Sequence, residues 1–156
     1  MNRITAYTLA AIMACFAFGA HAETQKTSAT AHFVVISQGD AFEMPNGDKG
    51  FYGGQSHATS IREDGTMASQ WCTGEVGVND AGEMTGGAGY CTIIEDNGDV
   101  IWVSYVNVAG QPGTWTVMGG TGAYEGATGG GTSTVVSQRA DGQAWTGQST
   151  GTITTK

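Results

Sequence analysis

The chain is predicted to be all-β, built from eight short antiparallel strands, and three features predict it. Runs rich in Val, Ile, Thr, Phe, Tyr and Trp recur along it, the residues that suit a pleated, half-buried surface. Asp-Gly, Asn-Gly and other Gly-rich clusters separate these runs, as tight hairpin turns require. After the N-terminal stretch no segment sustains a helical period, so very little helix is expected. Short antiparallel strands in meander-like succession close into an up-and-down barrel or pack as a sandwich.

The N-terminus reads MNRITAYTLAAIMACFAFGAHA. Arg3 supplies a positive region, Ala6–Ala20 an apolar core and Ala20-His21-Ala22 a small-x-small site, which predicts a secretory signal peptide over residues 1–22. The apolar run falls short of the roughly 20 residues of a membrane-spanning helix. Ile12-Met13-Ala14-Cys15 matches a lipoprotein-processing site poorly because of its middle methionine. Residues 23–156 then form a single domain, exported to the periplasm or the medium, large enough to bury about two thirds of its unfolded surface.

Loss of Arg3 leaves five of the six basic residues against 14 acidic ones, a net charge of about −9. Such a surface repels nucleic acid and anionic membranes, so neither is an expected partner. Cys15 leaves with the signal, and the remaining pair, Cys72 and Cys91, reads as a disulfide in an exported chain. The ring of about 20 residues that it closes is worth on the order of 3 kcal/mol in the chain-entropy account. A metal site on the same pair would want four N or S ligands, with only His32 and His57 left to help, so no metal or other cofactor is expected.

Along the mature chain, Glu23–Thr30 is polar and reads as a frayed tail, followed by a first strand over His32–Gln38. Ala41–Gly54 mixes Phe42, Phe51 and Tyr52 with the breakers Pro45, Asn46-Gly47 and Gly53-Gly54. It reads as a long hairpin loop whose aromatics pack on the core, with a flap over a barrel mouth as the other reading. Gln55–Glu63 is the next strand, Asp64-Gly65 a tight turn, and Met67–Val76 and Met84–Glu95 a hairpin about Asn79–Gly82. If that hairpin is centred between Ala81 and Gly82, Cys72 falls directly opposite Cys91, as a cross-strand disulfide needs. The turn Asp96–Asp99 leads into Val100–Val108, the strongest strand. Thr114–Met118, Thr132–Gln138 and Ala144–Thr154 complete the eight, with a turn at Ala140-Asp141-Gly142.

Between Thr114–Met118 and Thr132–Gln138 lies the densest glycine cluster, GTWTVMGGTGAYEGATGGG over Gly113–Gly131. A dinucleotide fingerprint would need a third glycine where Glu125 stands and a helix where a strand follows. Glycines here permit positive φ and close strand approach, and Tyr124 is expected to fold back over the barrel end. This stretch resembles the strand–turn–strand signature of bacterial secreted proteins with an allene oxide cyclase-like barrel, the fold of plant allene oxide cyclases and dirigent proteins. The resemblance implies an eight-stranded barrel rather than a sandwich, with the Gly-rich element as the place where two late strands bend to complete it. Relatives hold reactive hydrophobic intermediates in the barrel and steer their cyclisation or coupling, and they form trimers. A homo-oligomer is therefore open, although no isolated apolar stripe marks an interface.

None of the acid-rich turns has the alternating oxygens and distal Glu of a calcium loop. Nucleophile-elbow and zinc-binding His motifs are absent. Strand alternation groups Ser69, Trp71 and Thr73 on one face, Trp102 and Ser104 opposite Tyr105 and Asn107, and His57 with Glu63, but does not say which face is inward. If the more apolar set lines the lumen, Trp71, Trp102, Trp115 and Trp145 fill it, with His57 and Glu63 as polar groups. The candidate ligand-contacting residues are thus His57, Glu63, Trp71, Trp102, Tyr105 and Trp115, and no catalytic residue is assigned. The expected function is binding of a small hydrophobic molecule in the lumen without strong catalytic machinery. The alternative is a cofactor-independent cyclase or isomerase that orients a reactive intermediate.

Overall fold

The computed structural model describes residues 22–45, 47–81 and 83–156. The predicted signal segment lies outside the described residues apart from Ala22. Among the described residues the strands are β1 (Glu23–Ser37), β2 (Asp40–Glu43), β3 (Lys49–Arg62), β4 (Met67–Val78), β5 (Met84–Glu95), β6 (Val100–Val108), β7 (Gly113–Gly120), β8 (Thr128–Gln138) and β9 (Ala144–Thr155), with one 3₁₀ turn at Gly122–Tyr124. Every pairing is antiparallel, and β1 pairs with β9 from Glu23 to Val34, which closes the sheet.

β1 and β2 lie end to end along the same edge of β3, with Ser37 opposite Gln55 and Asp40 opposite Tyr52. They are two pieces of one stave, so the nine strands make an eight-stranded, closed, up-and-down barrel. Pairing of β1 with both β9 and β3 closes the sheet and covers most of the edge that an open sheet would leave.

Two expectations change. Glu23–Thr30 is not a frayed tail: its backbone is laddered to residues 148–155 of β9, and closure rather than side-chain pattern orders it. The seam that completes the barrel is also this β1–β9 ladder of twelve residue pairs. By contrast β7 and β8 share only four pairs, Gly113–Thr116 against Gly130–Ser133, and then splay. The turn after β7 folds across the opened end, held by Thr121 N to the Val100 carbonyl (2.8 Å), Val100 N to Thr121 Oγ1 (3.0 Å) and Ala123 N to Asp99 Oδ2 (3.1 Å).

The hairpin register brings Cys72 opposite Cys91 as expected, and the two are bonded, with Cα atoms 4.0 Å apart. The disulfide faces the barrel interior and is buried with Ile101, Val103, Val117 and Ala127. Phe33, Ile93, Tyr105, Trp115, Tyr124 and Ile153 pack around this cluster. Across the lumen the β1, β3 and β4 walls contribute small side chains, Ala31, Ser56, Ala58, Ser60 and Ala68, which leave room for the bulk carried by β6 and β7.

Candidate functional site

The register sorts the interior into two ends. At one end, where the turns 63–66, 96–99 and 121–127 gather, Arg62 of β3 and Glu95 of β5 form a double hydrogen bond; Nη1 to Oε2 spans 2.6 Å and Nη2 donates to Oε1. The Glu95 carboxylate holds the Arg62 guanidinium above its ordinary range despite its partial burial. Tyr124 from the 3₁₀ turn lies over this end; burial pushes its phenol up, and the Glu95 carboxylate adds to the shift. Ser60 Oγ donates to Gln70 Oε1 (2.9 Å), whose amide reaches Cys72 Sγ (3.3 Å), so the polar groups here are bonded to one another.

At the other end, under the β2–β3 hairpin, the interior is aromatic. Tyr105 of β6 faces Trp115 of β7 across the ladder, and Trp115 Nε1 donates to the Thr132 carbonyl (3.2 Å). Phe33 and Trp145 stack with centroids 4.8 Å apart and planes at 7°. Burial raises the Tyr105 phenol, with the nearby Glu75 carboxylate contributing. Beneath the hairpin runs a groove of about 480 Å³ lined by Phe42, Met44, Glu75, Val76, Thr85, Ala88, Val106 and Asn107, with Gly77, Gly86 and Gly87 as the bare backbone among them. The Phe42 ring lies over Gly50, its partner on β3, where a methyl group would collide with it.

The residues singled out in the sequence do not form one site. Tyr105 and Trp115 face inward. His57 and Trp71 are neighbours on the outer face, rings 4.6 Å apart and tilted by 42°, and Trp71 is 49% exposed. Trp102 is also outward and 43% exposed, so of the four tryptophans only Trp115 and Trp145 belong to the interior. Glu63 is exposed just past β3, beside a second concavity described below. Among the described residues no group of three or more His, Cys, Asp or Glu could hold a metal ion.

Sequence reasoning missed Arg62, Glu95 and the groove residues Phe42, Met44, Glu75, Val106 and Asn107. A signal for the first two was present. A disulfide in a small barrel belongs to its core, so Cys72 fixes the even positions of β4 as inward, and Ser56, opposite Cys72, does the same for β3. Arg62 follows as inward and His57 and Trp71 as outward, while Cys91 carries Glu95 inward on β5.

No protein-family model matches this sequence, and no curated protein matches it significantly. Among solved structures, the pterocarpan synthase dirigent protein GePTS1 is similar with a TM-score of 0.56 at 15% identity, over 86% of this chain and 91% of that one. The pterocarpan synthase dirigent protein PsPTS1 is similar with a TM-score of 0.56 at 13% identity, over 85% of this chain and 96% of that one. At these identities the likeness establishes a dirigent-like barrel fold, in agreement with the resemblance carried by the Gly-rich signature.

Proposed function

We propose that this protein is an exported binding barrel that holds one small, mostly apolar molecule in the groove beneath the β2–β3 hairpin. The groove itself carries the reading: about 480 Å³, with Phe42, Met44, Val76, Ala88 and Val106 as apolar lining and Glu75 and Asn107 as polar groups. That volume falls within the range of clefts that take up one small ligand and orient it by a few polar contacts. The middle of the lumen is packed with Ile101, Val103, Val117 and the disulfide, which moves the reading from the lumen to the outer face beneath the hairpin, where Glu75, Ala88 and Val106 lie in one cross-strand row. A neutral or cationic ligand suits Glu75 and the acidic chain, whose formal charge is −8. Export to the periplasm or medium is supported by the buried disulfide, which persists in oxidising compartments.

Titration with the neutral apolar dye Nile red tests the proposal. One saturable site is expected, weakened at least about tenfold, or 1.4 kcal/mol, by Val106→Asp and by Phe42→Ala. Unchanged affinity in Val106→Asp, with the fold intact by circular dichroism, would overturn it.

A second reading, a cyclase or isomerase that steers a reactive intermediate, is favoured by the inward titratable groups Arg62, Glu95 and Tyr124 and by the likeness to the two pterocarpan synthase dirigent proteins. It requires Arg62 or Glu95 to leave the other and reach substrate, since proton transfer needs hydrogen-bond reach. Native mass spectrometry of protein recovered from its own compartment separates the readings. A retained, chemically unchanged ligand supports binding, whereas a ligand converted on incubation supports catalysis.

A further inference from the structure

β3 ends at Arg62, opposite Ala29, but β1 runs on to Glu23 along β9. Among the described residues the β3-side edge of Glu23–Ser28 therefore has no strand partner. The alternation of the ladder shows which groups this leaves open. Val35 N donates to the carbonyl of Gln143, just ahead of β9, so odd-numbered β1 residues point their N–H and C=O toward β9 and even-numbered ones toward β3. Thr24, Lys26 and Ser28 thus present unpaired N–H and C=O groups. Beside them a concavity of about 380 Å³ is lined by Lys26, Thr27, Ser28, Glu63, Thr150 and Thr152.

We infer that this edge takes up an extended peptide as an added strand, antiparallel to β1 and in line with β3. Charge complementarity sets the occupant and its direction. A strand continuing the line of β3 starts next to Glu63, so its free α-ammonium meets the Glu63 carboxylate. Its first residue faces Thr27, and its second faces Lys26 on the outer face, where an acidic side chain pairs with the ammonium. Main-chain bonds to Lys26 and Thr24 supply the affinity, as in strand addition generally, and the two charges supply the register. A second copy fits less well, because the two-fold register of largest overlap sets Lys26 opposite its own copy, and lysines on an edge discourage such pairing. This assigns a role to Glu63, which stands apart from the groove beneath the hairpin.

The test uses protein expressed from the full chain and the pentapeptide Thr-Glu-Val-Thr-Val with a free amino terminus. On titration the Thr24, Lys26 and Ser28 amides are expected to shift in ¹⁵N spectra, and those of Thr24 and Lys26, which bond the added strand, to gain hydrogen-exchange protection. Lys26→Pro is a selective probe: its lost N–H points away from β9, so the β1–β9 ladder stays whole while the added strand loses its central bond. Binding is expected to be lost in Lys26→Pro and at least about tenfold weaker with Glu63→Gln. N-acetylating the peptide should weaken binding to the unaltered protein likewise, a result that does not depend on any variant folding. Absence of protection at the Thr24 and Lys26 amides at millimolar peptide, or full affinity in Lys26→Pro, would overturn the inference. So would a dimer in analytical ultracentrifugation that Lys26→Pro converts to monomer, since the edge would then belong to a second copy.

Discussion

Arg62→Ala strikes the one buried ion pair inside the barrel among the described residues. Glu95 keeps only 7% of its side chain exposed and Arg62 25%, so removing the guanidinium strands a carboxylate that accepts both of its hydrogen bonds from it. Leaving one partner of a buried pair alone costs about 3–5 kcal/mol, and partial solvent access to Arg62 puts the expected loss at the lower end, about 3 kcal/mol. For a domain of this size that corresponds to a fall in Tm of roughly 10 °C. Replacing both groups by apolar ones of similar length, Arg62→Met with Glu95→Met, removes the stranded charge along with the bond. The double variant is expected within about 1 kcal/mol of the parent protein. Urea unfolding of Arg62→Met, Glu95→Met and the double variant, read as midpoints at constant slope, gives the coupling directly. Additive losses, with the double variant as unstable as the two singles summed, would refute the view that the pair acts as one closed unit.

Three other perturbations follow from the same geometry. Gly122 has φ 56° beside the Asp99 carboxylate, and a Cβ on Gly120 would run into the Val100 carbonyl. Gly122→Val and Gly120→Val should therefore each cost about 2 kcal/mol or more, and unchanged thermal melting of either would show that the glycines are not required. Replacing Cys72 and Cys91 by serine should cost on the order of 3 kcal/mol in urea unfolding, and a loss below about 1 kcal/mol would contradict the chain-entropy account. Tyr105 and Tyr124 have phenols raised above 10.0 by burial. Each folded phenol holds its proton longer than the unfolded one. The stability they contribute is thus complete below pH about 10 and is lost as pH rises from there through the folded values. Melting temperature against pH should bend downward above about pH 10, and Tyr105→Phe with Tyr124→Phe should flatten the bend.

Much of the barrel could be read from turn chemistry. Asp64 and Asp141 each accept from a backbone N–H two residues on, Thr66 N at 2.9 Å and Gln143 N at 3.0 Å, and those bonds depend on residue type alone. Both carboxyls are held below the usual range by these contacts, with the Thr66 hydroxyl foremost at Asp64 and Arg139 reinforcing Asp141. The first half of β1 was not legible, because ETQKTSAT carries no apolar alternation and is ordered by a ladder to residues more than a hundred positions away. Nor was the outward placement of Trp71 and Trp102. Residue-level hydrophobicity favours burial, yet an eight-stranded lumen has limited volume, and Ile101, Val103, Val117, Tyr105 and Trp115 occupy it. The groove was least legible of all. It depends on Phe42 and Met44, carried by the hairpin, being set against strands β4 to β6, a juxtaposition that no local pattern encodes.

The central claim is that ligand sits beneath the hairpin rather than in the lumen. Mapping ¹H–¹³C shift changes on methyl and aromatic groups during Nile red titration tests it most directly. Changes centred on Phe42, Met44, Val76 and Val106, with Val103 and Val117 unmoved, are predicted. Changes centred on Val103, Val117 and Ile101 would contradict the account and return the site to the barrel interior.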